Sequence, residues 1–325
     1  MKKVILIIGI ILVIILSVII YFTGNEENTN KDNIPPEIIL ENEEEIIVLG
    51  SEFNSKAIAN DNIDGDISSK IKISNLDTFK LGEQEIIYGV VDSSGNEAKK
   101  KQKIIVRERL EELPVLMYHF FYDNEKYFKQ DNNWLKISDF EEQLKYLKEN
   151  DFYFPTWEEV ENYIDGKLEL PEKSIVLTID DGDPSFFDLA VPLLQEYKIP
   201  GTIFIIGDWY GSNYDPNLKY VNFESHSQNM HESGANGKGK MVNLSYEEIL
   251  NDLNTSSKSL GDATIFCYPF GHYNDTAIKA LEDSPFKMAF TIENGKVKKG
   301  SSKFKLPRIR ISDGDNLESF INKIK

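Results

Sequence analysis

The chain has 325 residues, enough for two domains, and carries 54 acidic against 36 basic side chains for a formal net charge of −18. A balance that acidic excludes nucleic acid as a partner, because nucleic acids are held by Lys/Arg-rich faces. A single cysteine, Cys267, excludes an intrachain disulfide framework, so cores or a bound metal must supply the stability.

The chain begins MKK and continues VILIIGIILVIILSVIIYF, without a charge from Val4 to Phe22. About 20 apolar residues cross a hydrocarbon core as a helix, and this run lacks the polar face of an amphipathic core helix. It ends with no small-x-small cleavage pattern, and no cysteine follows that could carry a lipid. Residues 1–22 are therefore expected to be an uncleaved, single-pass transmembrane signal anchor. Lys2 and Lys3 place the N-terminus in the cytoplasm and everything after Thr23 outside the cell membrane. Residues 23–34, rich in Asn, Glu and Lys, read as a flexible linker.

From residue 35 to 107 the sequence holds short β-type runs, EIIVL, IKIS, EQEIIYGVV and KQKIIVRE, separated by turn chemistry such as DNIDGD and DSSGN. No helical period appears, which predicts a small all-β sandwich. The acidic cluster Asp61, Asp64 and Asp66 lacks EF-hand spacing and its closing glutamate, so turn formation is the reading adopted. DNIDGDIS followed by LGEQEIIYGVVDSSGN resembles the immunoglobulin-like domains of bacterial surface proteins. That resemblance implies a spacer or wall-contact role without chemistry.

Residues 108–325 change to strands alternating with helices. PVLMYHFF, SIVLTIDDG, GTIFIIG, VNFESHS, ATIFCYPFG, KMAFTI and KLPRIRI are strand-like. ISDFEEQLKYLKEN, PSFFDLAVPLLQEYK, SYEEILNDLNTSSKSL and NDTAIKALED are helical. The alternation predicts an α/β fold, and the strand number favours a distorted (β/α) barrel over an open sheet. In such a barrel, chemistry collects where strands end. The residues at or near those ends are His119, Asp180, Asp181, His226, then Pro269-Phe270-Gly271, with Arg308 inside the last run. Adjacent aspartates repel unless a cation or shared proton relieves them. Two imidazoles and one carboxylate form a catalytic zinc set that leaves a position open for water, with the second aspartate free to be a base. A solvated turn capping the next helix remains the alternative reading of DDGD, and a packed core histidine that of His119.

TIDDG, HSQNMH and YPFG, in that order, resemble the polysaccharide deacetylases of carbohydrate esterase family 4, the NodB-homology domain, over about residues 110–325. The resemblance implies Asp180 as general base and Asp181, His226 and His231 as ligands of a divalent metal, zinc first, with cobalt or nickel as alternatives. The two histidines are spaced H-S-x-x-x-H rather than H-[ST]-x-x-H. That spacing is similar to the circularly permuted branch that deacetylates poly-N-acetylglucosamine, which implies His119 as the general acid. The third motif commonly carries an arginine that holds the base; here it reads Cys267-Tyr268-Pro269-Phe270, and Arg308 is expected to replace it. By the same resemblance the Phe270 backbone N–H, beside Pro269, would hold the oxyanion. Cys267 reads as a small buried residue and His272 as exposed. Tyr118, Trp134, Trp209, Tyr210 and Tyr214 could stack on sugar rings, or be ordinary core and loop aromatics.

The implied function is metal-dependent removal of acetyl groups from N-acetylglucosamine units of an extracellular polysaccharide, either poly-N-acetylglucosamine or peptidoglycan. A polysaccharide-binding protein that has lost catalysis, supported by the missing arginine, and an O-acetyl esterase are the alternatives.

Overall fold

The computed structural model describes residues 32–234 and 237–325. The expected anchor at 1–22 lies outside the described residues, among which no helix is long and apolar enough to cross a membrane. The chain divides into two compact units, Met1–Val106 and Arg107–Lys325.

Among its described residues, the first unit is all-β in its regular pairing. Glu37–Ile39, Ile58–Asp61 and Gly65–Asp66 form a three-stranded sheet; Glu44–Val48, Glu97–Arg107, Gly82–Val91 and Lys72–Ile73 form a four-stranded one in that order. Alternation decides which faces meet. Ile86, Tyr88 and Val90 point into a core with Ile38, Ile47, Ala59, Ile67 and Ile104, while Ile87 and Val91 on the other face stay exposed. A single turn of 3₁₀ helix at Ser68–Lys70 interrupts the strands.

The second unit is built on seven strands: β1 (Val115–Tyr118), β2 (Val176–Asp181), β3 (Gly201–Ile205), β4 (Val221–Ser225), β5 (Ile265–Cys267), β6 (Met288–Asn294) and β7 (Leu306–Arg310). All seven run parallel in the order β2-β3-β4-β5-β6-β7-β1, and β1 pairs β2 to bring the order back on itself. One seam is thin: β4 and β5 share a single register pair, Ser225 opposite Phe266. Helices lie between the strands and after the last of them: α1 (Ile137–Glu149), α2 (Trp157–Ile164), α3 (Val191–Tyr197), α4 (Tyr246–Ser259), α5 (Asp275–Glu282) and, after β7, α6 (Leu317–Ile324). Thr156 with Glu159 and Ser245 with Glu248 form complete capping boxes that start α2 and α4.

Strand parity separates two cores. Val115, Val176, Phe204, Ile265, Cys267, Met288, Phe290 and Leu306 cluster together. Their neighbours Leu116, Leu177, Ile179, Ile203, Ile205 and Phe266 join the layer containing the helix residues Phe140, Leu144, Leu194, Ile249 and Leu253. The parity that buries Val176 carries Thr178 and Asp180 on to the same face of β2.

Three local features differ from the sequence expectation. The apolar run PVLMYHFF is not one strand: it breaks at His119 and resumes as Phe120–Tyr122, which pairs with Trp134–Lys136, a short strand without a sequence signal of its own. The helix expected over PSFFDLAVPLLQEYK opens as a π-helical turn, Phe186–Ala190, before α3. Pro192 near the start of α3 has no N–H to donate back, which accounts for the altered ladder there.

Candidate active site

The residues singled out at strand ends converge, and their backbone is unusual where they do. Asp181, Ser227 and Phe270 have φ of 80°, 76° and 59°, left-handed values that non-glycine residues rarely adopt. Strain of this kind persists only where surrounding structure imposes it, and it gathers at functional sites.

Asp180 is the most constrained of them. Its Oδ1 and Oδ2 each receive a guanidinium N–H from Arg308 at 2.7 Å, a two-pronged pair with both side chains buried. Arg308 is itself fully buried, and its remaining donors reach Thr178 Oγ1 at 3.0 Å, the Thr291 carbonyl at 3.0 Å and Cys267 Sγ at 3.0 Å. Burial alone would push the Asp180 carboxyl up; the Arg308 charge and hydrogen bonds, with His119 and His226, hold it well below the usual carboxylate range. His119 brings Nε2 to 3.9 Å from Asp180 Oδ2. Burial lowers its pKa more than Asp180 and Asp181 raise it, and its Nδ1 is buried without a hydrogen-bond partner.

Asp181 meets two imidazoles. Oδ1 lies 3.4 Å from His226 Nε2 and 3.4 Å from His231 Nε2, with the two rings 4.8 Å apart between centroids. His226 Nδ1–H donates to the Cys267 carbonyl at 2.7 Å, which fixes the ring and leaves Nε2 directed at Asp181. Burial disfavours charge on His226, but Cys267 and Asp181 outweigh it and raise its pKa; burial and the neighbouring His226 push His231 down to about 4. Asp181 is lowered despite burial because it faces those imidazoles. One carboxylate and two imidazole nitrogens, all within 4.8 Å of one another, fit a divalent ion that would take the place of the shared proton.

A second set, Asp180, His226 and Cys267, is equally close but chemically poorer. Both oxygens of Asp180 are taken by Arg308, a full positive charge stands beside the set, and burial raises the Cys267 pKa, which keeps it a thiol. Cys267 instead donates weakly to Asp180 Oδ2 at 3.5 Å.

The unusual histidine spacing is a loop device. The His226 N–H joins the Ile205 carbonyl at 2.9 Å, and the chain then turns through left-handed Ser227. Asp252 on α4 accepts the Gln228 N–H at 2.7 Å and the Asn229 N–H at 2.8 Å, while buried Met230 packs beneath and closes the loop onto Ser227 Oγ at 3.0 Å. His231 therefore returns to the ion position from the far side of the loop. Asp252 was not singled out by sequence, because it sits inside a regular helix with no motif around it; Thr178 lies in TIDDG but was given no role there.

His231 stacks on Phe270 at 4.3 Å and meets Trp209 edge-on at 5.5 Å. Phe270 and Trp209 are 38% and 51% exposed, so they form an open aromatic wall beside the imidazoles, above buried Pro269. Burial assigns the other candidate stacking aromatics to the core and loop alternative. Tyr118 is a core residue donating to Gln143 at 2.9 Å, Trp134 is buried against Phe120, and Tyr210 and Tyr214 pack partly into the core. His272, expected to be exposed, is half-buried and its Nδ1 accepts the Gly239 N–H at 2.8 Å.

Comparison with known proteins places both units in families. Residues 167–289 match the family described as polysaccharide deacetylase, and residues 38–106 match the immunoglobulin-like domain of bacterial surface proteins. A poly-β-1,6-N-acetyl-D-glucosamine N-deacetylase of Staphylococcus aureus (strain MRSA252) is 33% identical over 224 residues, covering 63% of this chain and 76% of that protein. The enzyme of the same description from Staphylococcus epidermidis is 28% identical over 204 residues, covering 57% and 70%. Among solved structures, a Streptococcus pyogenes deacetylase in complex with acetate matches with a TM-score of 0.57 at 23% identity, covering 67% of this chain and 99% of that one. A polysaccharide deacetylase from Bacillus cereus matches with a TM-score of 0.53 at 22% identity, covering 83% and 86%. At these identities the structures speak for the fold.

Proposed function

The chain belongs to the polysaccharide deacetylases, and from that premise we propose that it hydrolyses the N-acetyl groups of poly-β-1,6-N-acetylglucosamine, releasing acetate. The observation that carries the reading is the junction of two sites on β2: Asp181 facing His226 and His231, and Asp180 clamped by Arg308 one residue away. The staphylococcal relatives support the polymer.

Asp181, His226 and His231 would hold a divalent ion, with zinc favoured by two imidazoles and one carboxylate. When bound, such an ion supplies Lewis acidity, lowering the pKa of a water towards about 7 and polarising a carbonyl oxygen. Asp180 takes a proton from the attacking water while Arg308 keeps the carboxylate ionised and aimed. A carboxylate held this acidic does not retain the proton, and His119 Nε2, 3.9 Å away, stands beside it. His119 delivers a proton to the amine nitrogen as the C–N bond breaks; burial lowers its pKa and makes its N–H a readier donor. The Phe270 backbone N–H donates to the developing oxyanion, a role typically worth about 3 kcal/mol. Trp209 and Phe270 offer faces on which a sugar ring can stack.

In the same reading, residues 1–22 anchor the chain in the cell membrane and the catalytic unit works outside. The hydropathy of Val4–Phe22 and the lysines before it support this.

Acetate release from poly-β-1,6-N-acetylglucosamine and from peptidoglycan, measured side by side on the zinc-loaded protein, tests the proposal. Faster release from the β-1,6 polymer is expected. Release only from peptidoglycan would reassign the substrate, release only from O-acetylated polymer would make it an esterase, and binding without release would make it a lectin.

A further inference from the structure

We propose that the first unit binds a calcium ion between Asp32, Asp61 and Asp92. These three residues come from distant parts of the chain: the segment entering the first strand, the last residue of Ile58–Asp61, and the turn after Gly82–Val91. One carboxylate oxygen from each lies within 4.8 Å of the others. Asp61 and Asp92 are 9% and 7% exposed. Three carboxylates so close, two of them buried and Asp32 half-buried, repel strongly unless a cation or protons intervene.

The neighbours do not supply that relief. In this unit the described lysines with ion pairs use other acids: Lys56 with Glu41, Lys70 with Asp64, Lys101 with Glu85, and Lys103 with Glu44 and Glu83. Nor do hydrogen bonds exhaust the cluster. Asp61 uses Oδ1 to accept the Ile63 and Asp64 N–H groups at 3.0 and 2.8 Å, while its Oδ2 is buried with no partner. Asp32 repeats the pattern: Oδ1 accepts from Ile34 N and Asn62 Nδ2, and Oδ2 is buried with no partner. Two buried carboxylate oxygens without a donor, in a group already carrying three negative charges, ask for a cation.

The ligand chemistry selects which cation. Every donor is a carboxylate oxygen, with no imidazole or thiolate to favour a transition metal. The oxygens arrive from two loops and a strand end, which suits the flexible shell of calcium better than the strict octahedron of magnesium. Water and main-chain carbonyls would complete the six to eight oxygens calcium takes. The acids singled out beside Asp61 in the sequence have other work: Asp64 accepts Ser93 N and Oγ at 2.8 and 2.6 Å, and Asp66 accepts Ser68 N and Oγ at 2.9 and 2.6 Å.

The test is calcium titration by calorimetry on the zinc-loaded full chain, which keeps the imidazole site filled. Binding in the range of extracellular modules, roughly 10⁻⁴–10⁻³ M, is expected. Asp61→Asn should weaken it at least tenfold, and Asp66→Asn should leave it unchanged. Should Asp61→Asn fail to fold, Asp32→Asn carries the same expectation. No binding up to about 10 mM calcium, ten times the weak end of that range, would overturn the proposal. So would equal affinity in wild type and the Asp61→Asn or Asp32→Asn variant.

Discussion

Arg308 and Asp180 neutralise each other inside a core, so neither can be changed alone without leaving a buried charge. Arg308→Ala is expected to destabilise the catalytic unit by about 3–5 kcal/mol in urea denaturation. Pairing it with Asp180→Asn should recover much of that loss without restoring turnover. Asp180→Asn alone should abolish acetate release while the protein still binds one equivalent of metal, read by elemental analysis; a variant that still turned over would remove Asp180 as the base. Two positions upstream of His226, Glu224 is nearly buried and accepts N–H groups from Thr264 and Ile265 at 2.9 and 2.8 Å. Burial outweighs those bonds and pushes its pKa up to about 7 from 4.5. A folded pKa above the unfolded one means that the group's contribution is fully present below pH 4.5 and is lost as pH rises through 7. Wild type should therefore lose on the order of 3 kcal/mol relative to Glu224→Gln across that window, seen as diverging melting curves.

At the scale of elements, the loop from His226 to His231 is held by α4 rather than by its own sequence. Asp252→Ala removes the acceptor for two loop N–H groups and should weaken metal affinity 10- to 100-fold by competition with a chelating dye, with the fold intact. The strands and their end residues were legible in the sequence because apolar runs are short, β-branched and followed directly by a titratable group. TIDDG marks the end of β2, and YPFG the turn after β5. What was not legible depends on contacts across the sheet. Nothing around Arg308 in KLPRIRI says that it reaches Asp180 on a strand 128 residues earlier; its part was suggested only by the arginine absent near Cys267. Asp252 looks like any acidic helix residue, and the aromatics stayed ambiguous because an apolar ring reads the same whether it faces a core, as Tyr118 does, or solvent, as Trp209 does.

For the whole molecule, the two units carry separate cores, and their stability should respond to different ions. Zinc at about 100 times its dissociation constant should add about 2.7 kcal/mol to the transition of Arg107–Lys325. A chelator should remove that increment, and His226→Ala should never show it, both read by calorimetric scanning. The position of Arg308 in β7 also has a consequence for synthesis. β7 is the last strand in chain order, and it lies between β6 and β1. A nascent chain that has completed β1 to β6 holds Asp180 on β2 with no guanidinium opposite it and a sheet still open at the β6 edge. Burial of that carboxylate is favourable only when residues 306–310 dock. Residues 306–310 must therefore leave the ribosome before a competent centre can form, however early β2 and the imidazole loop have emerged.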